Sequence, residues 1–313
     1  MEKTNDNFIM LPTVDFCFKE LMNNEKVRRG FIAALLRTDP EKIRKTTLLP
    51  TELRREYADD KLGILDVRVL LENGTQIDME MQVAYFENWD ARAVFYLSKI
   101  FSDQLKKGEP YENLKQCIHV SILDFIHFKN DDECCRKISF CDEVTGEKYT
   151  DLMQIQVLEL KKLAAKSEHE ENIISWMRFL SGKSREEFEV MAKSDEYMEE
   201  AYDALKKLSA DDRAKLEYEA REKAIRDYNS QMSSALRRGR KRGIEEGQLL
   251  SRIELIQKKC RKGKSLEQIA DEMEEEVADI EKLYLLVKEN PEIPAEQFLQ
   301  NFEETLLPAD RNK

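Results

Sequence analysis

Asp66, Asp78, Glu80 and Gln82 crowd into one short stretch, GILDVRVLLENGTQIDMEMQ, residues 63–82. The stretch reads as two strands, about 63–71 and 76–84, around a turn at Asn73-Gly74. On the second strand, Asp78, Glu80 and Gln82 alternate with Ile, Met and Val, so one face carries two acids and an amide. What those groups can do depends on register. A two-residue loop pairs residue 72 with 75 and sets Asp66 across from Met81, on the face opposite Glu80. A three-residue loop with Gly74 left-handed pairs 71 with 75 and sets Asp66 directly across from Glu80, with Cβ atoms about 5 Å apart. In that register Asp78 faces Arg68 and is neutralised by it. Like charges placed opposite each other are destabilising unless a cation lies between them. The second register is therefore the expected one, and two carboxylates at that spacing suit Mg²⁺ or Mn²⁺ with waters and phosphate oxygens. On periodicity alone, a solvated sheet face is the favoured reading of Asp66, Glu80 and Gln82.

The elements that must hold these groups are legible around them. TVDFCFKELM and KVRRGFIAALL, within residues 13–36, carry apolar residues at helical spacing and break near Asn23-Asn24-Glu25. Pro40 marks an interruption. After the hairpin, NWDARAVFYLSKIFSDQLKKG predicts a helix capped by Asn88 or Asp90 and stopped by Gly108. QCIHVSILDFI, residues 116–126, has the Val and Ile content of a buried strand, and KISFCDE and MQIQVLEL predict two more. Mixed strands and helices in this order imply an α/β core over about 10–165.

From residue 166 the chain reads as helix. Residues 166–235 form a helical extension, and 236–313 a helical tail. Gly239, Gly243 and Gly247 recur every four residues on one helix face. Ser265 and Gln268 fit a capping box that opens a small helical unit. Its second helix, VADIEKLYLLVKEN, is acidic and lacks Arg, which argues against major-groove reading and for packing or partner contacts.

The chain has 313 residues, a net charge of −12 and 36% charged residues, and both halves are acidic. Bulk charge excludes a basic nucleic-acid module, so phosphate binding must come from a local patch or from metal ions. The six cysteines form no CxxC pair and no Cys/His zinc spacing. MEKTNDNFIM lacks a basic-then-apolar signal pattern, and no apolar run approaches a membrane span. A cytoplasmic protein without membrane contact is the expectation.

Asp66 followed by Glu80-x-Gln82 resembles the PD-(D/E)XK nuclease signature with Gln in place of Lys. DKLGILDVRVLLENGTQIDMEMQ and RAVFYLSKIFSDQLKKGEPYENLKQCIHVSILDF together resemble the recombination-promoting nuclease (Rpn) family of PD-(D/E)XK nuclease family transposases. TVDFCFKELM resembles the family's opening Asp-x-x-Phe-Lys helix, and GKSLEQIADEM its C-terminal tail. The resemblance covers most of 10–165 well and the tail loosely. It implies a core of central mixed sheet flanked by helices, in the order helix–strand–strand–strand–helix–strand. It also implies a metal-dependent DNA endonuclease linked to recombination. Carried over by position, Asp66 and Glu80 ligate Mg²⁺ (or Mn²⁺), and Gln82 orients water by hydrogen bonding where the usual lysine stands.

Accessory candidates are Asp15, Lys19, Lys61, Arg92 and Tyr96. Asp15 and Lys19 also fit a plain i,i+4 pair. Lys61 fits a solvated loop lysine, and Tyr96 fits core packing as well as it fits a base. His119 and His127 read as packing residues, with no Ser or Cys nucleophile organised around them. Arg237, Arg238, Arg240, Lys241 and Arg242 fit phosphate attraction and, equally, a helix surface balanced by Glu245 and Glu246. The leading expectation is DNA phosphodiester hydrolysis. The rivals are a DNA-binding protein of the same fold with weak or lost cleavage, and an interaction or homo-oligomerising protein whose tail is the working part.

Overall fold

The computed structural model describes residues 8–52, 65–85, 87–165 and 170–306. Lys61 lies outside the described residues. Two short helices, α1 (Asp15–Asn23) and α2 (Glu25–Leu36), precede strands β1 (Thr46–Leu49), β2 (Val67–Leu71) and β3 (Gln76–Gln82). Helix α3 (Trp89–Ser102) leads to β4 (Cys117–Leu123), β5 (Cys135–Ser139) and β6 (Met153–Glu159). Helices α4 (Asn172–Ser181), α5 (Arg185–Ala192), α6 (Glu196–Ala210) and the long α7 (Asp212–Cys260) follow. Then come α8 (Leu266–Met273), α9 (Val277–Glu289) and α10 (Ala295–Leu306).

The break between the first two helices has a local cause. Asn24 ends α1 in an extended conformation, and its side chain accepts from the Lys26 and Val27 amides to cap α2. Arg28, four residues on, is buried and donates to the Met22 and Asn23 carbonyls and to Thr46. That one guanidinium ties the helix joint to β1, a short strand that the sequence patterning did not reveal.

The sheet has six strands in the order β1-β2-β3-β4-β6-β5. β1, β2 and β3 run antiparallel, β3 pairs parallel with β4, β4 pairs parallel with β6, and β5 closes the far edge antiparallel. It is a mixed sheet flanked by helices, in the order that the family resemblance implied. Helix α3 is the β3–β4 crossover. It ends at Ser102, short of Gly108, because Gln104 turns the chain by bonding both the amide and the carbonyl of Lys115.

One sheet face carries Val67, Val69, Ile77, Met79, Met81, Val120 and Ile122, and it packs under α1, α2, α4 and α6. That cluster runs on through Trp176, Phe179, Leu205 and Tyr218. The Met10 amide donates to Ser209 and the Leu11 amide to Tyr218. Residues 172–218 thus complete the core of the sheet. The opposite face is covered by α3, through Tyr96, Leu97 and Ile100 against Cys117, and through Trp89 and Ala93 against Leu123 and Val157.

The chain divides into two compact units between Asp227 and Tyr228. The second has its own cluster, in which Ile253 and Ile256 of α7 meet Ile269, Ile280, Leu283, Val287 and Phe298. The Ser265–Gln268 capping box is present. The apolar face of α9 is spent on this core, as core packing predicted. Among the described residues, a Cβ added at Gly239, Gly243 or Gly247 meets nothing within 4 Å, so no close approach there requires these glycines. No helix among the described residues is long and apolar enough to cross a membrane.

A chain ending at residue 235 retains the whole first unit. It should unfold in one cooperative transition by circular dichroism, with a midpoint near that of the corresponding transition in the full chain. A broad, non-cooperative melt would show that the second unit is needed for the first to fold.

Candidate active site

The hairpin turn decides where the acids go. The Leu71 amide donates to the Thr75 carbonyl at 2.9 Å, and the Gly74 amide donates to the Leu71 carbonyl at 3.0 Å. Gly74 has φ +86°, a conformation that L side chains resist, and an added Cβ there would also meet the Lys115 side chain at 2.7 Å. Asn73 accepts from the Thr75 amide at 3.0 Å. This is the three-residue loop. It pairs Arg68 with Asp78 and Val67 with Met79, and one further step of that register sets Asp66 across from Glu80.

Asp66 stands just before β2, where the ladder ends. Its Oδ2 accepts from the Met81 amide at 3.0 Å, a position that a strand carbonyl would otherwise fill. Its Oδ1 meets Lys19 Nζ of α1 at 3.0 Å. Lys19 also reaches Asp15 at 4.0 Å, and Arg221 reaches Asp15 at 3.8 Å. Burial pushes the Asp66 carboxyl above the ordinary range, against the pull of Lys19 and the Met81 amide.

Glu80 lies on the α3 side of the sheet with a side chain only 3% exposed. Arg92 of α3 approaches both carboxylate oxygens at 3.4 Å, and Gln82 Nε2 donates to Oε2 at 3.3 Å. Its contacts are therefore long for a buried anion. Burial first, then the neighbouring Asp78, pushes its pKa up to about 7. Tyr96 is buried, and its ring lies under the Arg92 guanidinium at 5.0 Å. Tyr96 supports Arg92 and is not open to a base or a phosphate.

Two expectations need correction. The Asp78 side chain does not pair with Arg68, although the backbones face each other. Arg68 donates to Gln76 at 2.8 Å, and Asp78 turns to His119 Nδ1 at 2.6 Å. The reason is depth: Asp78 and His119 are register partners inside the sheet, and both are enclosed. His119 is thus no mere packing residue. Its Nε2 meets Ser121 Oγ at 2.9 Å, and Ser121 is the register partner of Glu80. Burial opposes charge on His119, but Asp78 and Glu80 together hold its pKa above the usual value. A signal for this chain was present in the sequence. Cys117, His119 and Ser121 alternate as Asp78, Glu80 and Gln82 do, and a parallel pairing brings two such rows to one face.

The fold therefore gathers Asp15, Lys19, Asp66, Glu80, Gln82, Arg92 and Tyr96 around the ends of β2 and β3. Arg237, Arg238, Arg240, Lys241 and Arg242 lie on α7 in the second unit. There Arg242 pairs with Glu246 at 2.7 Å and Lys241 with Glu245 at 3.7 Å, so the balancing acids are engaged.

A family model described as PD-(D/E)XK nuclease family transposase matches residues 12–235. The chain belongs to this family. No curated protein and no solved structure matches it. Nucleases of this family generally use divalent metals. Among the described residues, no group of three or more His, Cys, Asp and Glu side chains is arranged to hold one. A carboxylate pair with long, loose contacts on Glu80 nevertheless fits a hard cation that takes few protein ligands and fills the rest with water and phosphate oxygen.

Two outcomes follow from the buried charges. Replacing His119 by Leu leaves Asp78 enclosed without its partner, which should lower unfolding free energy by about 3–5 kcal/mol in urea titrations. A loss below about 1 kcal/mol would mean that the pair contributes little. Glu80 binds a proton more tightly folded, near 7, than unfolded, near 4.5. Between those values the folded chain holds more protons, so metal-free stability should fall as pH rises through that window. The decline should be shallower in Glu80→Gln, and an identical slope in that variant would remove Glu80 as its cause.

Proposed function

We propose that this PD-(D/E)XK family protein is a metal-dependent DNA endonuclease that hydrolyses phosphodiester bonds, and that Asp66, Glu80 and Gln82 form its active site. The observation that carries the reading is the pairing of two largely buried carboxylates from adjacent strands, each with one cation beside it: Lys19 for Asp66 and Arg92 for Glu80. Asp66 and Glu80 are the residues that would hold Mg²⁺ or Mn²⁺. The bound ion supplies Lewis-acid stabilisation of the phosphate and a water of lowered pKa.

The remaining roles belong to the chain itself. Gln82 brings no charge, but its amide donates to Glu80 and can hold a water or a phosphate oxygen by hydrogen bonding. The positive charge that a motif lysine would contribute comes instead from Lys19 and Arg92, on the helices that flank the sheet. Tyr96 limits the motion of Arg92 by stacking beneath it. Membership of a transposase family favours DNA as the substrate, with strand cleavage as the step contributed to recombination. The work is assigned to the first unit, which ends at Asp227, with Arg237, Arg238, Arg240, Lys241 and Arg242 as a separate phosphate-attracting segment.

One observation favours a second reading. Both carboxylates already have basic partners, so the site is close to charge balance without a metal. A DNA-binding protein with weak or lost cleavage has the same geometry. Nicking of supercoiled plasmid in Mg²⁺ and Mn²⁺ separates the two. Wild type should nick, Glu80→Ala should not, and Gln82→Ala should be slower by about 10²-fold, the scale of one lost transition-state donor. Metal-dependent plasmid binding without nicking would leave the second reading standing.

A further inference from the structure

Immediately beyond Gln82 the chain builds an aromatic cluster that the proposed hydrolysis does not use. The Gln82 carbonyl accepts from the Asp124 amide at 2.9 Å, which fixes the loop after β4 beside the end of β3. Tyr85 stands there with 48% of its surface exposed. Phe125 meets it edge-on, with ring centroids 5.6 Å apart at 90°. His127 lies 6.3 Å away at a shallow 33° tilt, and its own ring rests on Trp89 at 4.5 Å.

The cluster is held rigidly. Glu159, buried at the end of β6, accepts from the His127 and Phe128 amides at 2.6 and 3.1 Å and is balanced by Lys162 at 2.9 Å. Tyr111 and Tyr149, each 84% exposed, have no ring neighbour among the described residues, whereas Tyr85 is exposed on top of packed rings. A buried carboxylate pins the loop, while an aromatic face is left open to water.

We propose that Tyr85, backed by Phe125 and His127, binds an unstacked nucleobase of the strand whose phosphate lies at Glu80 and Gln82. The preferred substrate is then single-stranded or locally unpaired DNA. This rests on the DNA-cleaving reading of the site and adds a substrate class to it. Distance is the first reason. Tyr85 is three residues past Gln82, at most about 10 Å along the chain. Even at the advance of about 3.4 Å per phosphate of a stacked strand, that reach is about three nucleotides, and an unstacked, more extended strand covers it in fewer. Chemistry is the second. Aromatic side chains bind single strands because every base has a π face, whereas a base in a duplex has both faces stacked. Charge is the third. Lys161, 49% exposed, pairs with Asp124 at 3.0 Å beside the cluster and can exchange that carboxylate for a backbone phosphate, while Asp90 is engaged by His127 Nε2 at 3.1 Å.

Fluorescence anisotropy of the full chain in EDTA tests this without hydrolysis, at one fixed salt concentration. The probes are a short labelled single strand and the duplex of the same sequence. Tyr85→Ala should weaken single-strand binding by about 10- to 100-fold, Tyr85→Phe should stay within about twofold of wild type, and duplex binding should change by less than about threefold. A 2-aminopurine in the strand should be quenched by wild type and by Tyr85→Phe, but not by Tyr85→Ala. The proposal is overturned if the wild type does not bind the single strand, if Tyr85→Ala binds it normally, or if duplex binding falls equally. Because EDTA removes metal, the two readings fail separately. Tyr85-dependent binding by a protein that never nicks plasmid sinks only the nuclease. Plasmid nicking with an inert Tyr85→Ala sinks only the base site.

Discussion

A carboxylate enclosed between a sheet and a helix cannot stand as a lone anion, and most of this architecture around Glu80 answers that constraint. Removing an anion from water is expensive unless a cation, a hydrogen bond or a proton compensates it. Glu80 has a share of all three: Arg92 at a loose distance, the Gln82 amide, and a pKa raised to about 7 by burial. Asp78, two residues earlier on the same face, is met differently, by a short contact from one carboxylate oxygen, Oδ2, to an enclosed histidine. Asp66 at the ladder's end takes a lysine and a backbone amide. Three acids on one patch are thus met by three separate bases, from α1, α3 and β4.

That arrangement works only if the strands are in register, and register depends on one turn. With Gly74 left-handed, the odd residues of β2 and β3 enter the main core, and the even residues face α3. A slip of one residue would bury Asp78 and Glu80 among Phe18, Phe31 and Trp176 and expose Ile77 and Met79. The hydrophobic effect on one face and the charge chemistry on the other therefore select the same register. The parallel β3–β4 pairing then places His119 beside Asp78 and Ser121 beside Glu80. The crossover helix α3, which any parallel pair requires, supplies Arg92 and Tyr96.

What the sequence revealed follows from the range of each interaction. The turn, the hairpin register, the strand identities from β2 to β6, the break between α1 and α2, and the capping box at Ser265 are local and were legible. β1 was not, since four residues with two threonines carry little period-two signal, and its place is set by Arg28 from another element. The Asp78–His119–Ser121 chain was not read either, because it depends on strands far apart in sequence that meet in parallel. Antiparallel register points Asp78 to Arg68, but its parallel neighbour His119 is the better enclosed partner. The helices from 172 to 218 read as an extension because their apolar faces say that they pack, but not on what.

Substituting glutamine for the lysine of the motif is best understood as a question of where charge is held. At residue 82 a lysine would place its ammonium beside Glu80, where Arg92 already stands. A lysine there would add a further cation beside Lys19 and Arg92 and would oppose a divalent ion between Asp66 and Glu80. Glutamine keeps the hydrogen-bonding reach and drops the charge. The cations then sit on helices, at Lys19 and Arg92, outside the strand that carries the acids. Lys19 is shared with Asp15, and Arg92 is stacked on Tyr96, so each has a second contact to fall back on. In the proposed mechanism this separates two tasks that a single lysine combines: the amide at 82 orients, and the helix cations balance charge. Such a division suits a site whose carboxylates are too deeply placed to stand as unpaired anions.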